Sequence, residues 1–381
     1  MGPILNPHEF DKFILIIKLF IFKMGSLEMF SSSNKKEKIV QSTPSFPITK
    51  IQDNRNKTNS NEKFLELRLT IIIKDIPTIN EKYLNLLILD DKRLLIGYTL
   101  YLILFSKKIL KQEVLIDLRD IMTEYNNSTS IIYLAQLNNG NIAVVLNNLK
   151  VYFIKLSQNS YELTGKLDSN NPKKIIEKNE NIYILEAQQI SVWHSKFNIF
   201  PYSKVEVIPL NEIFIGAINF IFINDQEIAI SHFRGITFYN LESKNKFQIR
   251  CQEHSISPSF CPKDMILLNN KILLMSSIDY KWGYGTIYII DTIKKEIICQ
   301  TGLQLYSIIK LNNGELLCGV MEQGQGFCHH KIMRLKILDE KLIIDNSQIC
   351  HDKQINDIIE LDNGIILSGS REGCIKVWKT I

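Results

Sequence analysis

Apolar strands and polar turns alternate along most of the chain. Runs of apolar residues, dense in Ile, Leu, Tyr and Phe, are broken every five to eight residues by pairs such as Asn-Gly, Asn-Asn and Asp-Asn. These pairs are typical of tight turns between antiparallel strands. The runs do not sustain the 3.6-residue spacing of an amphipathic helix. The pattern therefore predicts an all-β protein built from short strands.

The turn pattern repeats along the chain. A turn rich in Asn, Asp or Gly, followed by a strand that opens with Ile or Leu, occurs seven times. One apolar residue just after each turn serves as a marker residue below, and the markers are Leu94, Ile142, Ile182, Ile228, Ile272, Leu316 and Ile366. Successive markers lie 40 to 50 residues apart, with a mean of about 45, which is the period of a four-stranded propeller blade. Helical repeats have similar periods, but the strand and turn chemistry favours seven blades of four antiparallel strands.

The last blade lacks an outer strand. Its third strand is CIKVW, residues 374–378, and the chain supplies only six fourth strands. One strand-like segment, FLELRLTIII at residues 64–73, precedes the first repeat. Pairing of this segment with residues 373–379 would close the ring and remove its open edge. We therefore expect a closed seven-bladed propeller over residues 63–381.

Residues 1–62 differ from the rest. The apolar run FILIIKLFIF at residues 13–22 is too short to span a bilayer as a helix, because about 20 residues are needed. One interpretation of residues 10–23 is a targeting or membrane-surface segment, and another is a poorly ordered amphipathic tail, with Met24 as an alternative start. Residues 31–62 are rich in Ser, Asn, Lys, Thr and Pro, as in flexible linkers. We expect a flexible tail and no stable membrane insertion.

The last repeat carries a recognisable signature. Cys350-His351 opens the unit, Ser368-Gly369-Ser370 lies in its second strand, and Trp378-Lys379 closes its third strand. This unit resembles a repeat of the WD-repeat seven-bladed propeller family, which has Gly-His, Ser-Gly-Ser and Trp-Asp at these places and a turn Asp where Glu372 stands. The resemblance implies that His351, Ser368, Glu372 and Trp378 form a structural hydrogen-bonded network. The other six repeats keep the spacing but have mostly lost the signature, and Trp193 is the only other Trp that ends a third strand.

Charge and cysteine content narrow the functional classes. The formal net charge of +5 is small for 381 residues, and Lys and Arg are scattered rather than clustered, so we expect no nucleic-acid partner. Seven Cys without a CxxC pair indicate reduced thiols rather than a disulfide framework. These features predict a cytoplasmic protein.

Catalytic motifs are missing from the sequence. It contains no GxSxG, P-loop or HExxH, and Gly324-Gln325-Gly326 joins two strands rather than a strand and a helix, so a phosphate site is not expected. Inner strands such as YLNLLIL, IIYLAQL and SIIKL are almost entirely apolar or neutral. The Cys and His residues near 251–261, 328–330 and 350–351 could meet as zinc ligands, but packed thiols and solvated imidazoles are favoured. We predict no catalytic residue, metal or cofactor; the alternative is a propeller-fold hydrolase or metal-dependent enzyme with a site at the channel mouth.

Three long connections suggest a partner-binding surface. They cover residues 250–264, 276–285 and 321–330, and in WD-type propellers such connections share one face. Their aromatic and His residues are Phe260, Tyr280, Trp282, Tyr284, Phe327, His329 and His330. Trp and Tyr are common anchors of protein interfaces. We predict a non-catalytic scaffold that binds other proteins through these loops of blades four to six; the alternative is that Trp282 and its neighbours cap the fifth blade.

Overall fold

The chain forms a seven-bladed β-propeller. In the computed structural model the described residues are 65–73, 84–106, 112–122, 129–147, 150–157, 160–186, 188–194, 202–210, 217–251, 260–279, 284–323, 328–338, 341–361 and 364–380. They make seven antiparallel sheets of four strands each, which confirms the predicted all-β fold. The N-terminal tail and the apolar run at 13–22 lie outside the described residues.

The first described strand, β1 (Leu65–Ile72), belongs to the last blade. Blade 1 contains β2 (Leu84–Ile88), β3 (Leu94–Tyr98), β4 (Tyr101–Phe105) and β5 (Gln112–Asp117), followed by one 3-10 turn at Leu118–Asp120. Blade 2 contains β6 (Ile131–Gln136), β7 (Asn141–Leu146), β8 (Lys150–Leu156) and β9 (Tyr161–Asp168). Blade 3 contains β10 (Lys174–Lys178), β11 (Asn181–Leu185), β12 (Gln189–His194) and β13 (Ser203–Pro209).

The second half of the ring follows the same plan. Blade 4 contains β14 (Asn219–Phe222), β15 (Glu227–His232), β16 (Gly235–Asn240) and β17 (Lys246–Arg250). Blade 5 contains β18 (Phe260–Asn269), β19 (Ile272–Asp279), β20 (Tyr284–Asp291) and β21 (Glu296–Gly302). Blade 6 contains β22 (Leu305–Lys310), β23 (Leu316–Gln323), β24 (Cys328–Leu338) and β25 (Lys341–His351). Blade 7 contains β26 (Ile355–Leu361), β27 (Ile365–Ser370), β28 (Cys374–Thr380) and β1.

The two ends of the described chain close the ring. Strand β1 pairs antiparallel with β28, from Leu65 opposite Thr380 to Ile72 opposite Cys374. Leu65, Leu69 and Ile71 are buried, so β1 contributes apolar contacts as well as backbone hydrogen bonds. The predicted closure is confirmed, and blade 7 has no unpaired outer edge on β28.

Small residues let neighbouring blades approach. The first strands of adjacent blades lie side by side around the central channel. A Cβ on Gly369 would come within 2.2 Å of Leu84, and one on Gly319 within 2.9 Å of Ile355. Each of these neighbours belongs to the first strand of the next blade. The Ser-Gly-Ser of the last repeat is therefore explained by packing, because only Gly leaves room for the adjacent blade.

Tight turns join the first and second strands, as predicted. Gly140, Gly314 and Gly364 have φ of +80°, +87° and +70°, values that L side chains rarely adopt. These glycines follow Asn in their repeats, which explains why the turn pattern marks the strand boundaries well. Within the described residues, no helix has the length and apolar character needed to cross a bilayer.

Candidate functional site

One face of the ring carries the connections between blades and the hairpins between second and third strands. Because neighbouring strands are antiparallel, second and fourth strands end on the same side of each sheet. We call this the hairpin face. It receives the connection from β17 to β18, the β19–β20 hairpin and the β23–β24 hairpin.

The strands extend further into these connections than the sequence predicted. Backbone pairing continues up to Asp279 opposite Tyr284 and Gln323 opposite Cys328, and β18 already begins at Phe260. The prediction of loops over 250–264, 276–285 and 321–330 was wrong at these ends. Paired N–H and C=O groups replace exposed loop backbone there, and this satisfies their hydrogen-bonding capacity.

The structure places the predicted partner-binding residues differently. Tyr280, Trp282 and Phe327 lie outside the described residues. Phe260 and Tyr284 are the first residues of strands β18 and β20, and His329 is exposed on β24. His330 is only 7% exposed and lies opposite His351, and its buried Nδ1 has no hydrogen-bond partner in the described part of the chain. His330 therefore offers little surface to a partner.

Three residues of blade 7 and His351 at the end of blade 6 form a continuous chain of hydrogen bonds, called the blade 7 network below. Trp378 Nε1 donates to Ser368 Oγ at 2.8 Å. Ser368 Oγ lies 2.7 Å from His351 Nε2, and His351 Nδ1 lies 2.6 Å from Glu372 Oε1. The four residues come from β28, β27, β25 and the β27–β28 turn. The chain of contacts therefore links three strands and a turn.

The donors in this network can be assigned. Trp378 Nε1 can only donate, so Ser368 Oγ accepts that hydrogen. Because burial lowers the pKa of His351 and favours the neutral imidazole, Ser368 donates its own hydrogen to His351 Nε2. His351 Nδ1 then carries a proton and donates to Glu372. Burial alone would raise the pKa of Glu372, but the hydrogen bond from His351 and further contacts hold it at about 2.

The other blades lack this network. The strand registers place Trp378 opposite Ile366, two residues before Ser368. In the other six blades the corresponding position to Ser368 is apolar or Cys, namely Ile96, Val144, Ile184, Ile230, Met275 and Cys318. Trp193 of blade 3 occupies the place of Trp378, and its buried Nε1 has no partner among the described residues. Ile184, which replaces the Ser there, cannot accept its hydrogen.

A second polar feature lies on the innermost strands. One polar side chain on the first strand of each blade lies at the same height along the channel. This follows from the strand registers and, in blade 5, from the contact between Asp264 and Ser276. We call these seven residues the channel ring: Asn85, Tyr133, Lys174, Asn219, Asp264, Ser307 and Asp357. All are buried or half-buried. The expectation that the inner strands carry almost no charge was wrong, because Lys174, Asp264 and Asp357 belong to them.

Half of the channel ring is linked by side chains. Lys174 Nζ donates to Asn219 Oδ1 at 2.8 Å, and Asn219 Nδ2 donates to Asp264 Oδ1 at 3.4 Å. Asp264 Oδ2 accepts from the backbone N of Ile308 at 3.1 Å. Lys174 Nζ also lies 5.9 Å from the centre of the Tyr133 ring. These contacts run from blade 2 to blade 6 without a break.

The ring also connects blades 7, 1 and 2. Asp357 Oδ2 accepts from the backbone N of Leu86 at 2.8 Å, and Asn85 Nδ2 donates to the carbonyl of Ile131 at 3.2 Å. Each bond crosses from one blade to the next. Polar side chains at this level therefore hold neighbouring blades together near the channel.

Burial dominates the electrostatics of the ring. It lowers the pKa of Lys174 and raises that of Asp264, and the two opposite charges partly offset these shifts. Burial raises the pKa of Asp357 to about 7, and the charge of Asp264 adds to the rise. Hydrogen bonds from backbone N–H groups offset only part of this rise in pKa, and no Lys or Arg lowers the pKa of Asp357. Asp357 is thus a carboxyl group without a counter-ion.

Sequence reasoning missed the channel ring although a signal was present. Every ring residue precedes the marker residue of its repeat by eight or nine positions. Their side chains share polarity but no chemical type, so none stands out in an apolar strand. Aligning the repeats on their markers, rather than reading each strand alone, would have revealed the ring.

Among the described residues, the Cys side chains are poorly suited to metal binding. All seven are free, and burial raises the pKa of Cys251 and Cys350 to about 12, whereas metal ligation requires the thiolate. His351, Glu372 and Cys374 have potential ligand atoms within 4.8 Å of one another. Both ring nitrogens of His351 are already engaged by Ser368 and Glu372, so this trio fits the hydrogen-bonded network better than a metal.

Comparisons with known proteins agree on the fold. No family model and no curated protein matches the chain. The structure is similar to a chain of the "Crystal Structure of Mitotic Checkpoint Complex", with a TM-score of 0.64, 10% identity, and 86% of this chain and 99% of that chain covered. It is also similar to the WD40 beta propeller domain of Doa1, with a TM-score of 0.61, 11% identity, and 83% and 97% covered.

A further similarity is to the extracellular domain of BT4673 from B. thetaiotaomicron, with a TM-score of 0.58 and 13% identity. This match covers 79% of the present chain and 39% of that chain. At identities this low the matches establish the β-propeller fold alone.

Proposed function

We propose that this protein is a non-catalytic interaction scaffold, a rigid ring that binds other proteins through its hairpin face. The observation that carries the proposal is the closed propeller, in which β1 and β28 join the two ends of the described chain. Closure fixes the positions of the hairpins around one face, and rigidly held connections are where binding residues commonly lie. Similar structures include the WD40 domain of Doa1 and a chain of an assembled checkpoint complex.

The charged residues of the channel support a scaffold more than an enzyme. Asp264 and Asp357 each use a carboxylate oxygen to accept a backbone N–H of the next blade. Lys174 donates to Asn219 on the neighbouring blade. A general acid, general base or nucleophile acts on a substrate, whereas one oxygen of each of these carboxylates is engaged with the backbone of the next blade.

The partner-binding residues proposed on the hairpin face are Phe260, Tyr280, Trp282, Tyr284, Phe327 and His329. The starts of β18, β20 and β24, at Phe260, Tyr284 and Cys328, lie on the same side of blades 5 and 6, and this supports the proposed set. Burial removes His330 from the set. The seven free thiols support a reducing compartment such as the cytoplasm.

The experiment replaces both Trp282 and Tyr280 with Ala in the full chain. Affinity capture with quantitative mass spectrometry and thermal melting are then measured on the same preparations. We expect captured partners to be lost while the melting temperature stays within about 1 °C, because residues that contact partners contribute little to folding. Phe247→Ala is the matched control, since Phe247 is 46% exposed on the outer strand of blade 4.

Three outcomes would contradict the proposal. Unchanged capture by the Trp282 and Tyr280 double variant would show that the hairpin face is not the partner surface. A melting temperature lower by several degrees would show that Trp282 caps the fifth blade instead. Loss of capture in Phe247→Ala as well would point to a nonspecific surface effect.

A further inference from the structure

The channel ring is asymmetric in how its polar groups are satisfied. On one side, Lys174, Asn219 and Asp264 form a linked chain that ends at the backbone of blade 6. On the other side lie Ser307, Asp357, Asn85 and Tyr133, from blades 6, 7, 1 and 2. We call these four residues the open half of the ring.

Three oxygens of the open half lack hydrogen-bond partners within the described chain. They are Ser307 Oγ, Asn85 Oδ1 and the Tyr133 hydroxyl oxygen. Ser307 is only 4% exposed, but none of the three oxygens is among the fully buried side-chain atoms that lack a partner in the described chain. The three oxygens are therefore accessible to solvent. The open half therefore offers acceptor groups that the ring itself does not use.

Asp357 adds a carboxyl group that can carry a negative charge. Leu86 N donates to its Oδ2, and this fixes the carboxylate at the inner edge of blade 7. In the described chain no Lys or Arg forms an ion pair with Asp357. A half-buried carboxylate without a cation is unfavourable, so this site would gain from a positively charged ligand.

The linked half shows which cation the ring accommodates. Lys174 places its ammonium group 2.8 Å from Asn219 Oδ1, near the charge of Asp264 and 5.9 Å from the centre of the Tyr133 ring. An amide oxygen thus contacts a primary ammonium there, while a carboxylate and the Tyr133 ring lie further from it. The open half presents the same three types of group, together with the Ser307 hydroxyl, and it has no ammonium group of its own.

We propose that the open half of the channel ring binds a primary alkylammonium group. Its N–H bonds are donated to Asp357, Asn85 and Ser307, whose oxygens match the three donors of an ammonium. Tyr133 adds a hydroxyl oxygen. One carboxylate among neutral oxygens suits a single positive charge better than a divalent metal, which prefers several carboxylates. The ligand is a free amine or a Lys side chain of a partner, and the inference stands apart from the hairpin face.

The test uses the full chain and n-butylammonium chloride as the probe. Thermal melting is followed by circular dichroism during titration, with NaCl at equal ionic strength and n-butanol as controls for salt and for the alkyl chain. We expect the melting temperature to rise by several degrees with butylammonium only. Asp357→Asn should weaken binding at least tenfold, because a charge-assisted hydrogen bond is lost. Asp352→Asn is the matched control, since Asp352 is exposed and should bind as the wild type does.

Several results would overturn the inference. These are no response to butylammonium, an equal response to NaCl or n-butanol, an unchanged titration in Asp357→Asn, or stabilisation by Ca²⁺ in place of the amine. The Asn side chain can still accept from Leu86 N, so this variant should fold. Ser307→Ala gives an independent readout and should weaken binding several-fold. Repeating the titration with N-acetyl-lysine amide separates the sources, because tighter binding than butylammonium indicates a protein Lys and weaker binding indicates a free amine.

Discussion

Removing the hydroxyl of Ser368 is the sharpest test of the blade 7 network. Its Oγ accepts from Trp378 Nε1 and contacts His351 Nε2. Trp378 is 2% exposed and the His351 side chain is fully buried, so water cannot readily replace the lost bonds. In Ser368→Ala both nitrogens are left unsatisfied, at about 1 to 3 kcal/mol each. We expect the free energy of unfolding to fall by about 2 to 6 kcal/mol.

Chemical unfolding in urea, followed by circular dichroism, measures this loss. Ser231→Ala is the matched control, because Ser231 is equally buried but its Oγ makes one long bond of 3.3 Å to the carbonyl of Asn219. We expect that variant to lose about 1 kcal/mol or less. If Ser368→Ala loses no more stability than Ser231→Ala, the network does not stabilise the blade as argued.

Three further predictions follow from the same structure. Because the folded pKa of Asp357 is raised from 3.8 to about 7, its stabilisation is complete below pH 4 and is lost as pH rises through 7. The unfolding free energy of the wild type relative to Asp357→Asn should therefore fall over that range, by at most about 4 kcal/mol, and a flat difference would refute the shift. The pH dependence of stability that Glu372 causes has the opposite sign, because the pKa of Glu372 in the folded protein is lowered to about 2. The advantage of the wild type over Glu372→Gln should be full above pH 4.5 and should disappear as pH falls to 2, with a loss of at most about 3 kcal/mol, as measured by urea unfolding at each pH. A chain that begins at residue 80 lacks β1 and should lose cooperative thermal unfolding, whereas one that begins at residue 60 should keep it; equal melting curves would contradict the closure.

The fold could be predicted because the residues that mark each turn and strand recur with the period of a propeller blade. Each tight turn needs Asn, Asp or Gly, and each strand buries its apolar side chains, so strand boundaries are visible in the residues themselves. All seven markers lie within one residue of the start of a second strand. The partner of β28 was predicted by elimination, since an unpaired last blade would leave an open edge.

The ends of the hairpins and the channel ring could not be predicted from the sequence in this way. Pairing of Gln323 with Cys328 depends on the geometry of two strands and not on their propensities. In the ring, β-bulges shift the register before Tyr133, Ser307 and Asp357, so polar residues at one level do not alternate regularly with apolar ones. Their role is apparent only when seven separate strands are brought to the same channel.

Blade 7 has a thermodynamic reason to carry the polar network that other blades have lost. Its outer strand comes from β1, so pairing with β28 closes a loop of roughly 300 residues, with a length-dependent entropic cost of about 5 kcal/mol. Other blades join strands that are neighbours in sequence and avoid this cost. The buried bonds of His351, Ser368 and Trp378 each contribute about 1 kcal/mol net, and they order β28 on its inner side. If β28 is already ordered, less conformational entropy is lost when β1 docks against it. On this argument the network is retained in blade 7 because that blade closes the ring.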